Sequence, residues 1–420
     1  MKIELKNIGK IRSATVDLDG ITVIAGENDT GKSTVSKALY SVQKTLYDAH
    51  TQIREERLTS IRRNLISIYR TIFSGINLRL NTEGLARIIF DNASRYHNDR
   101  NKLKETIMEA MNNVDDKRRK SVHSEDIKEE IDTILISLNM DDSRILERIA
   151  VNNFDSEFNG QITNIYTGAS GEIRCYTDSV PTVFHIDEDQ VFSLQDPSEL
   201  SDGVIYLDNP FVLDQFGRLN TGFLFEDNHR SDLQMLLFRL SNKNAVTEIL
   251  TDEILSDIYR KITAVIPGEI IYVENQNLKY RVPGSDKLLD VRNLSAGMKT
   301  FAILKTLLRK GALESGSTVI LDEPEIHLHP EWQLIFAELI ILLRKQFRLR
   351  VLLTTHSPYF LEAIEVYAAK HGISDDCKYY LAHNEGNFSE ITEVTNSVDE
   401  IYKLLAKPFQ TLEDERYRDD

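Results

Sequence analysis

Residues 26–33 read Gly-Glu-Asn-Asp-Thr-Gly-Lys-Ser and fit G-x-x-x-x-G-K-[ST], a spacing whose chemistry is the cradling of phosphate. Glycines at 26 and 31 let the backbone curl so that successive N–H groups point inward at phosphate oxygens, and the start of a following helix adds its positive dipole end. Gly26, Asn28, Asp29, Thr30 and Gly31 are therefore candidate nucleotide-binding positions. Lys32 is placed to reach the β- and γ-phosphates, the Ser33 hydroxyl to ligate Mg²⁺ and Thr34 to meet the α-phosphate. Two further polar sets stand at the ends of apolar runs. Asp322-Glu323 follows Thr318 to Leu321; Asp322 is the candidate Mg²⁺ ligand, through water, and Glu323 the candidate general base for the attacking water. Val351 to Leu353 leads through two threonines to His356, the candidate γ-phosphate sensor, an assignment that leans on the ordered set. The chemistry these residues would share is hydrolysis of ATP with Mg²⁺, with Lys32, Glu323 and His356 as the catalytic group.

Such a set needs strands that end beside one another. The apolar run Ile21 to Ala25 supplies a strand before the glycine-rich loop, and a helix-compatible stretch begins at Ser33. Thr318 to Leu321 and Val351 to Leu353 have the apolar, β-branched texture of parallel strands buried on both faces, which carry functional groups at their carboxyl ends. Val204 to Leu207 reads as another core strand.

Leu294-Ser295-Ala296-Gly297-Met298, at the start of a helix, resembles the LSGGQ signature of ABC-type ATPases, with Ala296 and Met298 departing from that form. The resemblance implies that Ser295 and the backbone at Gly297 contact the γ-phosphate held by a second copy, so that ATP joins two subunits head to tail. Asp322-Glu323-Pro324-Glu325-Ile326-His327-Leu328-His329-Pro330 and the opening Lys2 to Ile11 narrow it further. They resemble the RecF/OLD-like AAA group of prokaryotic ABC-type ATPases, of which anti-phage defence proteins are one type. The match is specific over residues 1–45 and 290–360. It implies an α/β P-loop NTPase of ABC-ATPase type, a mixed sheet flanked by helices, with a large helical insertion lobe. His327 and His329 have no Cys or third His nearby, so a subunit-contact loop is expected there, not a metal site. The group's glutamine loop is left open between Gln190 and Gln195.

Residues 34–293 separate the first motif from the signature, which leaves room for an insertion. The expected domains are an ATPase core over 1–50 and 200–395, a helical insertion or arm over 51–160, a short β-rich segment over 161–200 joining insertion to core, and a closing helix with a frayed tail over 396–420. Ile61, Leu65, Ile68, Ile72 and Ile127, Ile131, Ile134, Leu138 repeat at helical spacing. Residues 357–420 leave no room for a TOPRIM nuclease domain and carry no D-x-D pair, so the output is expected from a partner. Two cysteines outside any C-x-x-C spacing and the lack of a long apolar run suit a cytoplasmic protein with no membrane contact. A net charge of −16 argues against general adhesion to nucleic acid. Arg54, Arg57, Arg62, Arg63, Arg70 and Arg79, with Lys117-Arg118-Arg119-Lys120, are the candidate DNA or RNA contacts, but interleaved Glu55, Glu56 and the acid-rich Glu125 to Glu130 favour a solvated helical surface with internal ion pairs. Arg230 and Arg292 stand open between phosphate or interface contacts and surface ion pairs.

Three readings result. The first is the sensor or regulatory ATPase of a prokaryotic anti-phage defence system: a head-to-tail homodimer or higher oligomer acting with a separate effector such as a nuclease or toxin. The second is a RecF-like DNA-repair ATPase that binds DNA directly. The third, least favoured by the Asp322 to Pro330 loop, is an ABC transporter ATP-binding subunit.

Overall fold

The computed structural model describes residues 1–73, 81–96, 99–113, 124–215, 228–238, 255–273 and 277–416. The chain forms two compact units, Met1–Tyr47 with Ala150–Asp420, and Asp48–Ile149.

In the first unit, β1 (Lys2–Ile8) and β2 (Ile11–Asp17) pair antiparallel, and β3 (Ile21–Gly26), buried throughout, runs into the glycine-rich loop and α1 (Lys32–Leu46). The second unit holds α2 (Ala49–Ile72), α3 (Thr82–Asp91), α4 (Arg100–Asn112) and α5 (Lys128–Asn139), after which α6 (Asp142–Phe158) returns the chain to the first. The first unit continues with β4 (Gly171–Tyr176), β5 (Thr182–Asp187), β6 (Gln190–Gln195), β7 (Val204–Leu207), α7 (His229–Phe238) and α8 (Ser256–Val265). Then come β8 (Glu269–Val273), β9 (Asn277–Arg281), β10 (Leu288–Asp290) and α9 (Ala296–Lys310). Next are β11 (Thr318–Asp322), α10 (Pro330–Phe347), β12 (Arg350–Thr355) and α11 (Pro358–His371), and β13 (Cys377–Glu385), β14 (Phe388–Glu393) and α12 (Asp399–Arg416) close the chain.

Among the described residues the main sheet has the order β6-β5-β4-β1-β2-β14-β13-β3-β12-β11-β7. β13, β3, β12, β11 and β7 run parallel, and β2, β1, β4, β5 and β6 form an antiparallel wing. Side chains alternate across the parallel part, because successive residues of a strand face opposite ways. Ile21, Val23 and Ala25 join Leu207, Leu321, Val351 and Leu353 in one core with α9, α10 and α11. Ile24, Ile320 and Leu352 join Tyr206 and Tyr380 in the other, with α1. Burial on both faces is why these strands read as continuous apolar runs. This is the mixed sheet flanked by helices expected for the fold class.

The segment read as a joiner at 161–200 is instead the far wing of the main sheet. β4 pairs with the free edge of β1, Ile3 opposite Cys175 and Leu5 opposite Ile173, and that pairing buries both partners. The three-stranded sheet β10-β9-β8 has no counterpart among the sequence expectations. No helix among the described residues is long and apolar enough to cross a membrane.

The second unit has its own core, in which Ile61, Leu65, Ile68 and Ile72 pack with Ile107, Ile131 and Ile134. Two of the arginines read as nucleic-acid contacts have structural partners. Arg57 donates to the carbonyls of Ser137 at 2.8 Å and Leu138 at 3.0 Å and pairs with Asp142 at 2.5 Å, closing the end of α5. Arg54 lies over the Phe90 ring. Arg62, Arg63 and Arg70 are exposed; Arg79 and residues 117–120 lie outside the described residues.

Candidate active site

The glycine-rich loop is built by close packing. Gly31 has φ 81°, and a Cβ there would lie 2.8 Å from Ile11 Cγ1. At Gly26 a Cβ would lie 2.3 Å from the Ala382 carbonyl oxygen, because β13 runs directly alongside. Asp29 also takes a positive φ, 60°, and is held from below by Lys10 Nζ, 3.0 Å from its carbonyl and 2.7 Å from its carboxylate. Thr30 donates to the Glu27 carbonyl at 2.8 Å, while Asn28 and Ser33 are exposed and Thr34 half-buried. Lys32, first residue of α1, is buried, with Nζ donating to the carbonyls of Gly26 at 3.0 Å and Glu27 at 2.7 Å.

The parallel order β3-β12-β11 brings three of the sequence-selected groups to one point. Lys32 Nζ is 3.4 Å from Glu323 Oε1, and Glu323 Oε2 is 3.4 Å from His356 Nδ1. The His356 contact and then the Lys32 charge hold the Glu323 carboxyl below its usual range, while Glu323 raises the His356 pKa. Glu323 comes just after the end of β11 at φ 48°, its N–H donating to the Thr354 carbonyl at 3.2 Å and Thr354 Oγ1 at 3.0 Å. A non-glycine residue costs energy in this region and persists where its surroundings over-determine it. Asp322 is buried; Tyr206 donates to its Oδ2 at 3.0 Å and the Thr354 hydroxyl to its Oδ1.

The signature residues make other contacts. Ser295 is exposed and caps α9, its Oγ accepting from the Met298 N–H at 3.3 Å. Gly297 is buried, where a Cβ would lie 3.0 Å from the His327 carbonyl oxygen and 3.1 Å from the Trp332 ring. Lys299 anchors the same helix from within: it is 1% exposed, 2.7 Å from Asp214, and lies over the Phe211 ring. Arg230 pairs with Asp208 and Arg292 with Asp290, both as ion pairs within the chain. The His327 ring meets Phe211 edge-on, and His329 precedes Pro330 at the head of α10.

Sequence reasoning left several nearby residues without a role. Glu325, the second acid of Asp-Glu-Pro-Glu, is 2% exposed and accepts from Thr355 Oγ1 at 2.5 Å and the His356 N–H at 3.2 Å. Burial raises its pKa, and it lies 3.9 Å from the His356 ring. Tyr206 carried only a core-strand signal. Gln190 and Gln195 stand exposed on β6, the edge strand opposite β7, so they are far across the sheet from β11. Asp208-Asn209, in contrast, comes directly after β7, the strand beside β11.

A family model described as AAA ATPase domain matches residues 1–361. Among solved structures, the chain is similar to the SMC head domain from Thermotoga maritima, at 14% identity and TM-score 0.37 over 94% of this chain and 98% of that one. It is similar to a Smc head domain with an extended coiled coil bound to the C-terminal domain of ScpA, derived from Pyrococcus furiosus, at 11% identity and TM-score 0.41 over 99% and 98%. An ATP-binding cassette of an ABC transporter in its ADP conformation matches at 11% identity and TM-score 0.32 over 96% and 98%. All three likenesses are remote.

Proposed function

Because this chain belongs to the AAA ATPase domain family, we propose that it binds ATP with Mg²⁺ at residues 26–34 and hydrolyses it through Lys32, Glu323 and His356. The observation that carries this reading is the meeting of those three side chains at the ends of β3, β11 and β12. Glu323, whose carboxyl His356 and then Lys32 hold below its usual range, is the base toward water; His356, whose pKa Glu323 raises, faces the terminal phosphate. Lys32 exchanges the loop carbonyls it now bonds for phosphate oxygens. The donor set suits Mg²⁺, a hard cation: the carboxylate of Asp322, whose oxygens accept from the Tyr206 and Thr354 hydroxyls, and the hydroxyl of Ser33. When bound, Mg²⁺ draws charge off the β- and γ-phosphate oxygens.

Ser295, at the N-cap of α9, stays open to solvent, which supports its service to a second copy in a head-to-tail dimer. The dimer acts as a nucleotide-gated sensor in a prokaryotic defence module, with a separate nuclease or toxin as effector. Direct binding of DNA is the second reading, favoured by exposed Arg62, Arg63 and Arg70 on one helix and weakened by the engagement of Arg57 with the end of α5. The test of the enzymatic core is Lys32→Ala, which is expected to lose nucleotide binding and phosphate release; retention of wild-type affinity refutes the loop assignment. ATP-dependent co-purification with the product of a neighbouring gene supports the sensor reading. Retention of duplex DNA by the purified chain alone supports the other.

A further inference from the structure

Behind Asp322 lies a buried line of polar groups that the hydrolysis scheme does not use. Tyr206, on β7 and 2% exposed, donates to Asp322 Oδ2, and one face of its ring stacks on His229 with centroids 4.1 Å apart and planes at 25°. His229 opens α7 with carboxylates at both ring nitrogens: Glu157 Oε2 is 2.8 Å from Nδ1 and Asp208 Oδ1 is 3.2 Å from Nε2. Its backbone N–H donates to Glu157 Oε1 at 2.7 Å. Arg230 completes Asp208 from outside, with Nε at 3.0 Å. On the other edge, Tyr40 of α1 packs against Tyr206 at 5.8 Å and donates to Asp232 of α7, which Lys44 also pairs at 2.9 Å.

An imidazole facing a carboxylate at each nitrogen satisfies both only when both nitrogens carry protons. Burial pushes the His229 pKa down, but the hydrogen bond of Nδ1 to Glu157 and the charges of Asp208 and Glu157 outweigh it and leave it raised; Nε2 faces Asp208 without hydrogen-bond geometry. Burial likewise pushes Asp208 up, and His229 with Arg230 holds it well below the usual carboxylate range. A cation lying on the face of a phenol ring is attracted to it, which fixes the plane of that ring and so the direction of its hydroxyl. The same network ties α7 to α1, the helix that begins at Lys32, and to the strand beside Asp322.

We propose that Glu157, Asp208 and His229 are a positioning network for the magnesium-holding aspartate, fixing the Tyr206 ring so that its hydroxyl holds one oxygen of Asp322 and sets how that carboxylate is presented. This rests on the assignment of Asp322 to Mg²⁺. None of the three touches Asp322; they act through Tyr206.

The test is equilibrium binding of a fluorescent ATP analogue to the full chain, in EDTA and across Mg²⁺ concentration. The wild type is compared with Tyr206→Phe, His229→Gln, the double variant and Asp322→Asn. Affinity in EDTA is expected to be unchanged, and the half-saturating Mg²⁺ to rise on the order of tenfold in each single variant, since a hydrogen bond to a charged group is lost or misdirected. The double variant is expected to be no worse than the larger single, because the two residues act in one line. Wild-type Mg²⁺ dependence in Tyr206→Phe, or additive effects in the double, overturns the proposal. Should His229→Gln fail to fold, Asp208→Asn takes its place, since it keeps the side chain's shape and removes the charge at Nε2, and a wild-type Mg²⁺ dependence there overturns the network. An unchanged Mg²⁺ dependence in Asp322→Asn refutes the magnesium assignment itself and takes the network's role with it.

Discussion

Replacing Glu323 by Gln keeps the side chain's shape and removes its charge from between Lys32 and His356, each 3.4 Å away. The side chain is 22% exposed, so the loss of the two contacts is expected to cost about 1 kcal/mol of folding stability, the upper end for partly solvated pairs. Turnover falls much further: loss of a general base costs about 10²–10⁴ in rate, or roughly 3–5 kcal/mol of barrier. Nucleotide affinity moves the other way or not at all, because Lys32 no longer shares its charge with a carboxylate. The pH dependence is set by the shifts. The lowered Glu323 pKa gives stability that is present above 4.5 and lost as pH falls through its folded value. The raised His356 pKa gives stability that is complete below 6.5 and lost as pH rises through its folded value. The gap between wild type and variant in chemical denaturation is therefore widest between those two ordinary values and narrows on the alkaline side toward the Lys32 contribution. Phosphate release at saturating ATP and gel filtration with ATP and Mg²⁺ complete the assay. Turnover within tenfold of wild type refutes Glu323 as the base, and monomer-like elution of the ATP-loaded variant refutes the head-to-tail dimer.

Gly26→Ala should destabilise the first unit by about 1–3 kcal/mol, since the new Cβ would sit 2.3 Å from the Ala382 carbonyl oxygen in a paired strand that cannot retreat; wild-type stability in denaturant titration refutes that packing. The raised pKa of His229 gives stability that is full below 6.5 and lost as pH rises through its folded value. An alkaline fall in the wild-type denaturation midpoint should therefore disappear in His229→Gln, and equal slopes in the two proteins count against the charged network.

Local spacing made the glycine-rich loop and its flanking strand and helix legible, because a phosphate cradle is built from consecutive residues. The runs at β3, β11 and β12 were legible for a second reason: strands buried on both faces are apolar without interruption. The helical insertion showed through its three- and four-residue repeat, as at Ile61, Leu65, Ile68 and Ile72. The wing strands β4 to β6 did not reveal their place, since nothing local to Ile173 or Cys175 says that β1 is their partner. Neither did the burial of Glu325, or the opposite-edge position of Gln190 and Gln195.

The sequence by itself determined which chemical groups stand at the ends of which strands, and their spacing is what led to the proposal of phosphate chemistry. Only the tertiary structure decided what stands behind them. The line from Glu157 through His229 and Tyr206 to Asp322 joins residues 72 and 116 positions apart, brought together by the parallel pairing of β7 with β11 and the return of α6. Contacts across such separations are set by strand register and helix packing, and carry no signature in the spacing of the residues that make them.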